Sequence, residues 1–151
     1  MLLSKTFAYA LRSMLYLSLV EDGNKPVQIS EIAQCLNIPK HFLAKVLQQF
    51  SKKGILESVK GPNGGFRLNE KSMQTSLIEI FEITDGTEVF EQCALRFNKC
   101  DHINPCPLHN KVSEIRHHLI SILSDATIAD LMNNGQPLLM KNIASYFVVK
   151  S

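Results

Sequence analysis

The sequence predicts a mainly α-helical chain with one small β-hairpin: a winged helix-turn-helix followed by a long dimerisation helix. Three observations carry that prediction. Apolar residues recur at helical spacing through most of residues 3–52. A glycine-rich turn, Gly61-Pro62-Asn63-Gly64-Gly65, then separates two short β-prone runs. Finally, Leu108, Val112, Ile115, Leu119 and Ile122 recur at alternating spacings of four and three.

Leu3, Phe7, Ala10, Leu11, Met14, Leu15 and Leu19 set a first amphipathic helix over about 3–20, which the turn-forming run Glu21–Pro26 ends. Ser30 reads as the N-cap of a short second helix whose inner face is Ile32, Ala33 and Leu36. Asn37-Ile38-Pro39 is a tight break, and proline suits the start of the next helix. That third helix runs from about 40 to 52. Leu43, Val46, Leu47 and Phe50 turn inward, while His41, Lys45, Gln48, Gln49 and Lys52 share the other face. Two short helices joined by a tight turn, the second basic and rich in amides, form a helix-turn-helix pattern.

Gly54 stops the third helix. Residues 55–59 and 66–68 read as the two strands of a hairpin, which in this position is a wing. Lys60 and Arg67 flank its tip, and the glycines let the backbone approach a surface closely. Residues 76–84 are a further helix, ended by Asp85-Gly86. The segment 88–106 has no period. The a/d seam then predicts a helix over about 107–124, about 27 Å long, which exceeds what one small winged helix covers. The reading is a dimerisation helix; the alternative is a helix packed within one chain. A short helix over 127–132 follows and Asn133-Asn134-Gly135 breaks it. The apolar run 145–149 has no assigned role. The expected divisions are 1–86 (reading head), 87–106 (cysteine loop), 107–132 (dimerisation helix and its successor) and 133–151 (tail).

Charge sharpens the division. The net charge is only +2, but residues 1–67 carry +5 and residues 68–151 carry −3. Lys40, Lys45, Lys52, Lys53, Lys60 and Arg67 face a single acid, Glu57, within 38–67. A local excess of that size suits a polyanion; a solvated lysine face is the plainer reading of charge alone. The acids Glu79, Glu82, Asp85, Glu88 and Glu91 have no basic residue among them and should point away from nucleic acid. Lys5 and Arg12 interrupt the apolar N-terminus, and no stretch approaches the ~18 apolar residues of a membrane span. A cytoplasmic protein is expected, one whose thiols stay reduced.

Cys93, Cys100, Cys106 and His109 follow the spacing Cys-x6-Cys-x5-Cys-x2-His, which a flexible loop can wrap around one soft centre. Thiolates suit iron–sulfur clusters and zinc, and a histidine can replace a cysteine on iron. Structural zinc sites favour tighter knuckles, which places zinc second. Three unrelated thiols, or thiol redox chemistry without metal, are the remaining alternatives. Cys35 reads as a small core thiol, and His102 as a possible substitute ligand. His117 and His118 suit solvated or packing roles. No phosphate loop precedes a helix, no His-Glu-x-x-His occurs and no nucleophile–base pair is visible, so no enzyme is expected.

Taken together, these parts resemble the Rrf-two family of bacterial winged-helix regulators, with its IscR, NsrR and CymR branches. Tyr9-Ala10-Leu11-Arg12, Ile29-Ser30-Glu31-Ile32-Ala33 and His41-Phe42-Leu43 carry the likeness, with Lys60-Gly61-Pro62-Asn63-Gly64-Gly65-Phe66 matching the family's wing. The likeness covers about 1–132. It implies a homodimer joined through the long helix, binding a near-palindromic duplex DNA under control of a cluster loop. His109 matches the histidine ligand of the IscR branch, which implies a 2Fe–2S cluster on Cys93, Cys100, Cys106 and His109. Two departures stand out. Six residues, where five are usual, separate the first two cysteines, and Ala8 stands where some members place an acidic ligand. The residues expected on DNA are Pro39, Lys40, His41, Phe42, Lys45, Gln48, Gln49 and Lys52 from the helix. From the wing come Lys60, Gly61, Pro62, Asn63, Gly64, Gly65 and Arg67. A cluster-free, CymR-like repressor controlled by thiol oxidation or a partner protein, and a zinc-stabilised regulator, are the alternatives. No membrane partner is expected.

Overall fold

Phe7, Ala10, Met14 and Leu17 line one face of the first helix, α1 (Lys5–Val20), and around that stripe the core assembles. The computed structural model describes residues 3–20, 25–97 and 102–134. Cys100 and the segment 145–149 fall outside these. Helices α2 (Ile29–Leu36) and α3 (Lys40–Lys52) pack against each other and against α1, followed by β1 (Leu56–Val59) and β2 (Gly65–Leu68). Next come α4 (Glu70–Gln74), α5 (Leu77–Thr84), a 3₁₀ turn at Glu88–Phe90 and α6 (His109–Asp125). A further helix begins at 128 and runs to 134, the last described residue. The mainly helical winged architecture predicted from periodicity is therefore the one observed.

The turn of the helix-turn-helix is closed by Asn37, which adopts the left-handed conformation at φ 53° and sends its N–H to the Gln34 carbonyl. Arg12 donates from Nη2 to the Leu36 carbonyl at 2.9 Å, so α1 caps the C-terminal end of α2. The Tyr16 hydroxyl donates toward Glu31 and Cys35 of α2 at 3.2 and 3.3 Å. Burial, then the neighbouring Cys35 and Glu31, push the Tyr16 pKa upward, so it remains a donor. Leu43, Val46, Leu47 and Phe50 of α3 are all buried, as their spacing required.

The hairpin is antiparallel with Glu57 opposite Arg67 and Val59 opposite Gly65. Its outer strand is extended by Val27, which exchanges two backbone hydrogen bonds with Phe66 at 2.8 and 2.9 Å. This contact corrects the expected start of α2. Gln28 holds the N-cap position, without a side-chain cap, and Ser30 lies inside the first turn. Because Val27 is held by an isolated bridge against the wing, the chain must turn into the helix at once. Helix α4 was not anticipated. It is set by a capping box in which Asn69 accepts from the Ser72 N–H and Ser72 accepts from the Asn69 N–H.

Helix α5 begins with a second capping box, Ser76 with Glu79. Ser76 bridges Thr127, which joins the start of α5 to the chain beyond α6. Leu123, Ile128 and Met132 therefore share one continuous core with Phe7, Phe50 and Phe81. The C-terminal part of α6 packs on α5, while Leu108, Ile115 and Ile122 remain exposed at 41%, 57% and 50%.

Candidate nucleic-acid interface and cysteine loop

Lys40, His41, Lys45, Gln48, Gln49 and Lys52 all lie exposed on α3, opposite its buried apolar stripe. Pro39 sits exposed at the N-cap of the same helix. Phe42 is turned away from them: it is half-buried and packs edge-on against Tyr9 with ring centroids 5.7 Å apart. Its aromatic ring fixes α3 against α1.

The wing tip presents Lys60, Gly61, Pro62 and Asn63 to solvent, while Gly64 is buried and Gly65 half-buried. Arg67 holds Glu57 bidentately across the hairpin at 2.9 and 2.6 Å. That guanidinium keeps the Glu57 carboxyl below its ordinary pKa. Between α3 and the wing lies a cleft of about 420 Å³. Gln28, Ser30, Ala44, Gln48, Ser58 and the wing glycines line it, and Gln28 donates to the Pro62 carbonyl at 3.2 Å. Gln28, Ser30, Ala44 and Ser58 were missed from sequence. None is charged, and the register that brings Ser58 beside Gln48 depends on how the hairpin folds back.

The cysteine loop leaves the 3₁₀ turn and folds around one sulfur. Cys93 is buried, and its sulfur takes backbone hydrogen bonds from the Leu95 and Phe97 N–H groups. Arg96, between them, adopts the left-handed conformation at φ 57°. Such successive N–H groups form an anion-binding nest. Burial alone would raise the Cys93 pKa. The two amides, the neighbouring Cys106 thiol and Arg116 outweigh burial and pull it below the ordinary thiol value. Arg116 also donates to the Gln92 carbonyl, anchoring the loop to α6.

His109 opens α6 and is 6% exposed. Its Nε2 lies 3.0 Å from Nδ1 of His102, and the rings meet edge to face. Both line a cavity of about 270 Å³ with Phe90, Glu91, Ser113, Arg116 and His117. The expected ligands are thus partly brought together: Cys93 lies with Cys106, and His109 lies with His102. Among the described residues, no three histidine, cysteine or carboxylate groups converge on one metal position.

The Rrf2 family profile, described as an iron-dependent transcriptional regulator, matches residues 3–134. The chain belongs to the Rrf2 family. A protein of Aquifex aeolicus assigned as an HTH-type transcriptional regulator is 38% identical over 135 residues, covering 88% of this chain and 92% of that one. Protein aau3 of Rhizobium meliloti is 29% identical and covers 87% of this chain and 85% of its own. Among solved structures, CymR, the global cysteine regulator of B. subtilis, superposes with a TM-score of 0.70. It is 21% identical and covers 87% of this chain and 96% of its own. IscR of T. potens gives 0.66 at 19% identity, covering 87% and 86%. These two share the Rrf2 fold. As an Rrf2 member the protein is a transcriptional regulator, and no described helix is long and apolar enough to cross a membrane.

Proposed function

We propose that this Rrf2 regulator binds duplex DNA as a homodimer and that an iron–sulfur cluster on its cysteine loop sets that binding. The segments divide as 1–86 for reading, 87–106 for sensing and 107–132 for pairing, with no role assigned to 133–151. The observation that carries the sensing role is the buried Cys93: against the effect of burial, the Leu95 and Phe97 amides, the neighbouring Cys106 and Arg116 draw its thiol below the ordinary pKa. Amide donors around a thiolate stabilise the charge that a metal-bound sulfur carries. Thiolates suit such a group by their chemistry, although among the described residues no three candidate ligands meet at one position. Cys93, Cys100, Cys106 and His109 would hold it, as 2Fe–2S by the likeness of His109 to the histidine ligand of the IscR branch; zinc is the alternative metal. Such a cluster supplies sensitivity to redox state, iron or nitric oxide.

The chain's own residues link this loop to DNA. The loop joins α5, which packs on α1 and α3, to α6. How its thiolates are held sets where α6 starts and, through α5, how α3 is presented. Lys40, His41, Lys45, Gln48, Gln49 and Lys52 face the major groove, where glutamine suits adenine and lysine suits guanine or phosphate. The wing from Lys60 lies along the backbone. Leu108, just before α6, and Ile115 and Ile122 within it close on those of the partner, which removes three large apolar side chains of each protomer from water. A near-palindrome with half-sites one or more helical turns apart follows from the two-fold symmetry.

Anaerobic purification with absorbance, iron and sulfide analysis, joined to duplex-binding titrations across salt, tests the reading. Coloured protein with iron and sulfide, lost in Cys100→Ala, is expected, with affinity falling steeply as salt rises. Colourless protein with stoichiometric zinc refutes the cluster. Absence of salt-sensitive duplex binding in both loaded and unloaded protein refutes the regulator. A second reading draws on the Cys93–Cys106 contact itself: a cluster-free regulator answering to thiol oxidation. Metal-free protein that binds DNA when reduced, and loses it on oxidation, would favour that reading.

A further inference from the structure

We propose that the cleft between the end of α3 and α5 binds a free α-amino acid, an inference that goes beyond DNA binding and cluster sensing. The cleft measures about 450 Å³, within the range of about 300–1,000 Å³ usual for small-molecule sites. One wall is basic. Lys52 and Lys53 come from the C-terminal end of α3, and Lys71 comes from α4. The other wall is acidic, with Glu79 and Glu82 from α5. Ile55, buried, and Ile83, half-buried, add an apolar lining.

Two features set this cleft apart from a solvated lysine face. The basic wall is pinned. Lys71 donates from Nζ to the Lys53 carbonyl, Asn69 donates to the Gly54 carbonyl and Ser72 donates to the Ile55 carbonyl, so α4 is fastened to the chain that leaves α3. The charges are also left open. Glu79 accepts the Ser76 N–H at the start of α5, but among the described residues no ion pair joins any of the three lysines to either acid. Charge then decides what fits. A simple anion or a polyanion meets the lysines but is repelled by α5, and a cation meets the reverse. A molecule that carries both a carboxylate and an ammonium satisfies both walls at once. An α-amino acid has that form: its carboxylate sits with Lys52 and Lys53, its ammonium with Glu82, and an apolar side chain against Ile55 and Ile83. Gln49 and Lys52 also belong to the α3 face assigned to DNA. An amino acid that holds them takes them from the duplex, so its binding and DNA binding oppose each other by the same factor. This coupling rests on the DNA reading; the site itself does not.

Isothermal titration calorimetry of the full chain with L-valine, L-leucine, L-isoleucine and L-methionine tests the site, each beside its carboxamide and its deaminated acid. At least one amino acid should bind at millimolar concentration or below, and loss of either charged end should weaken binding at least about tenfold. Lys53→Gln and Glu82→Gln should do the same, while Glu88→Gln, which removes an acid outside the cleft, should bind as the parent does. All three side chains are exposed, so the variants should melt with the parent. Fluorescence anisotropy with duplex DNA reads the coupling: a saturating amino acid should lower duplex affinity at least about fivefold in the parent, and not in Glu82→Gln at the same concentration. The site is overturned by the absence of binding by all four amino acids, by undiminished binding of an amide or a deaminated acid, or by a loss in Glu88→Gln as large as that in Glu82→Gln. Binding that leaves duplex affinity unchanged overturns the coupling. A chain that takes up the amino acid but binds no duplex in either cluster state refutes the regulator reading and leaves the site standing.

Discussion

Replacing Gly65 with alanine should detach the wing from Val27, the residue that bridges it just before α2. Gly65 has φ +150°, a conformation that L side chains rarely adopt, and a β-carbon there would run into the Val27 carbonyl. The next contacts are backbone too, so no flexible side chain can yield. Relief requires Val27 to move, which strains or breaks both hydrogen bonds it shares with Phe66. Each such bond is worth about 1 kcal/mol net, and the unfavourable backbone adds about 1–3 kcal/mol. The total is about 3–5 kcal/mol, and at about 2–4 °C per kcal/mol for a chain of this size the melting temperature should fall by roughly 10 °C. Gly54 supplies the internal control. It also has positive φ, at +73°, but a β-carbon there meets nothing within 4 Å. Gly54→Ala should therefore cost only about 1–2 kcal/mol, the price of the left-handed conformation itself. Thermal unfolding followed by circular dichroism compares the two variants, and anisotropy with duplex DNA reports whether the wing still docks. If Gly54→Ala melts as low as Gly65→Ala, the clash with Val27 is not what fixes the wing.

Four further outcomes follow from the same geometry. Glu57→Gln should tighten DNA binding and steepen its salt dependence by about one charge, because it takes an anion off the wing and loosens the hold on Arg67; anisotropy across a salt series reads it. The Glu57 carboxyl is depressed by Arg67, so the pair's contribution is complete above the unfolded pKa and lost as pH falls through the folded one. Acid titration of the melting temperature should show that loss in the parent and not in Glu57→Gln. Lys45→Ala should weaken duplex binding and lower the salt slope by about one, without changing the melting temperature by more than about 2 °C, since Lys45 is exposed. Ile115→Asp combined with Ile122→Asp should give a monomer by light scattering while the secondary structure persists; a dimer that survives both charges would place the pairing surface elsewhere.

Local periodicity and end signals explain how much was legible before folding. Leu43, Val46, Leu47 and Phe50 are spaced for one helical face, and all four are buried. Gly54, with its positive φ, ended α3 where expected, and α5 begins one residue after the expected start at 76, behind the Ser76–Glu79 capping box. Of the predicted seam, Leu108, Ile115 and Ile122 are exposed and Val112 is half-buried, whereas Leu119 packs with Leu123 against the chain's own core. Helix α4 escaped because five residues show no period, although the Asn69–Ser72 box was present to mark it.

What the sequence determined by itself were the patterns with a period: three helices and a wing, a basic helix face, a seam, and three cysteines set apart from a fourth. Periodicity is a property of neighbours, so it can be read along the chain. What only the tertiary structure decided were the partners. Arg67 lies across from Glu57, Phe42 is turned onto Tyr9, Val27 bridges Phe66, and His109 meets His102. Each pairing depends on which segments folding lays side by side, or on which way a ring or guanidinium turns there, and spacing carries no information about either. The same folding put Cys93 into the amides of Leu95 and Phe97, so a spacing of thiols became a site that favours a thiolate.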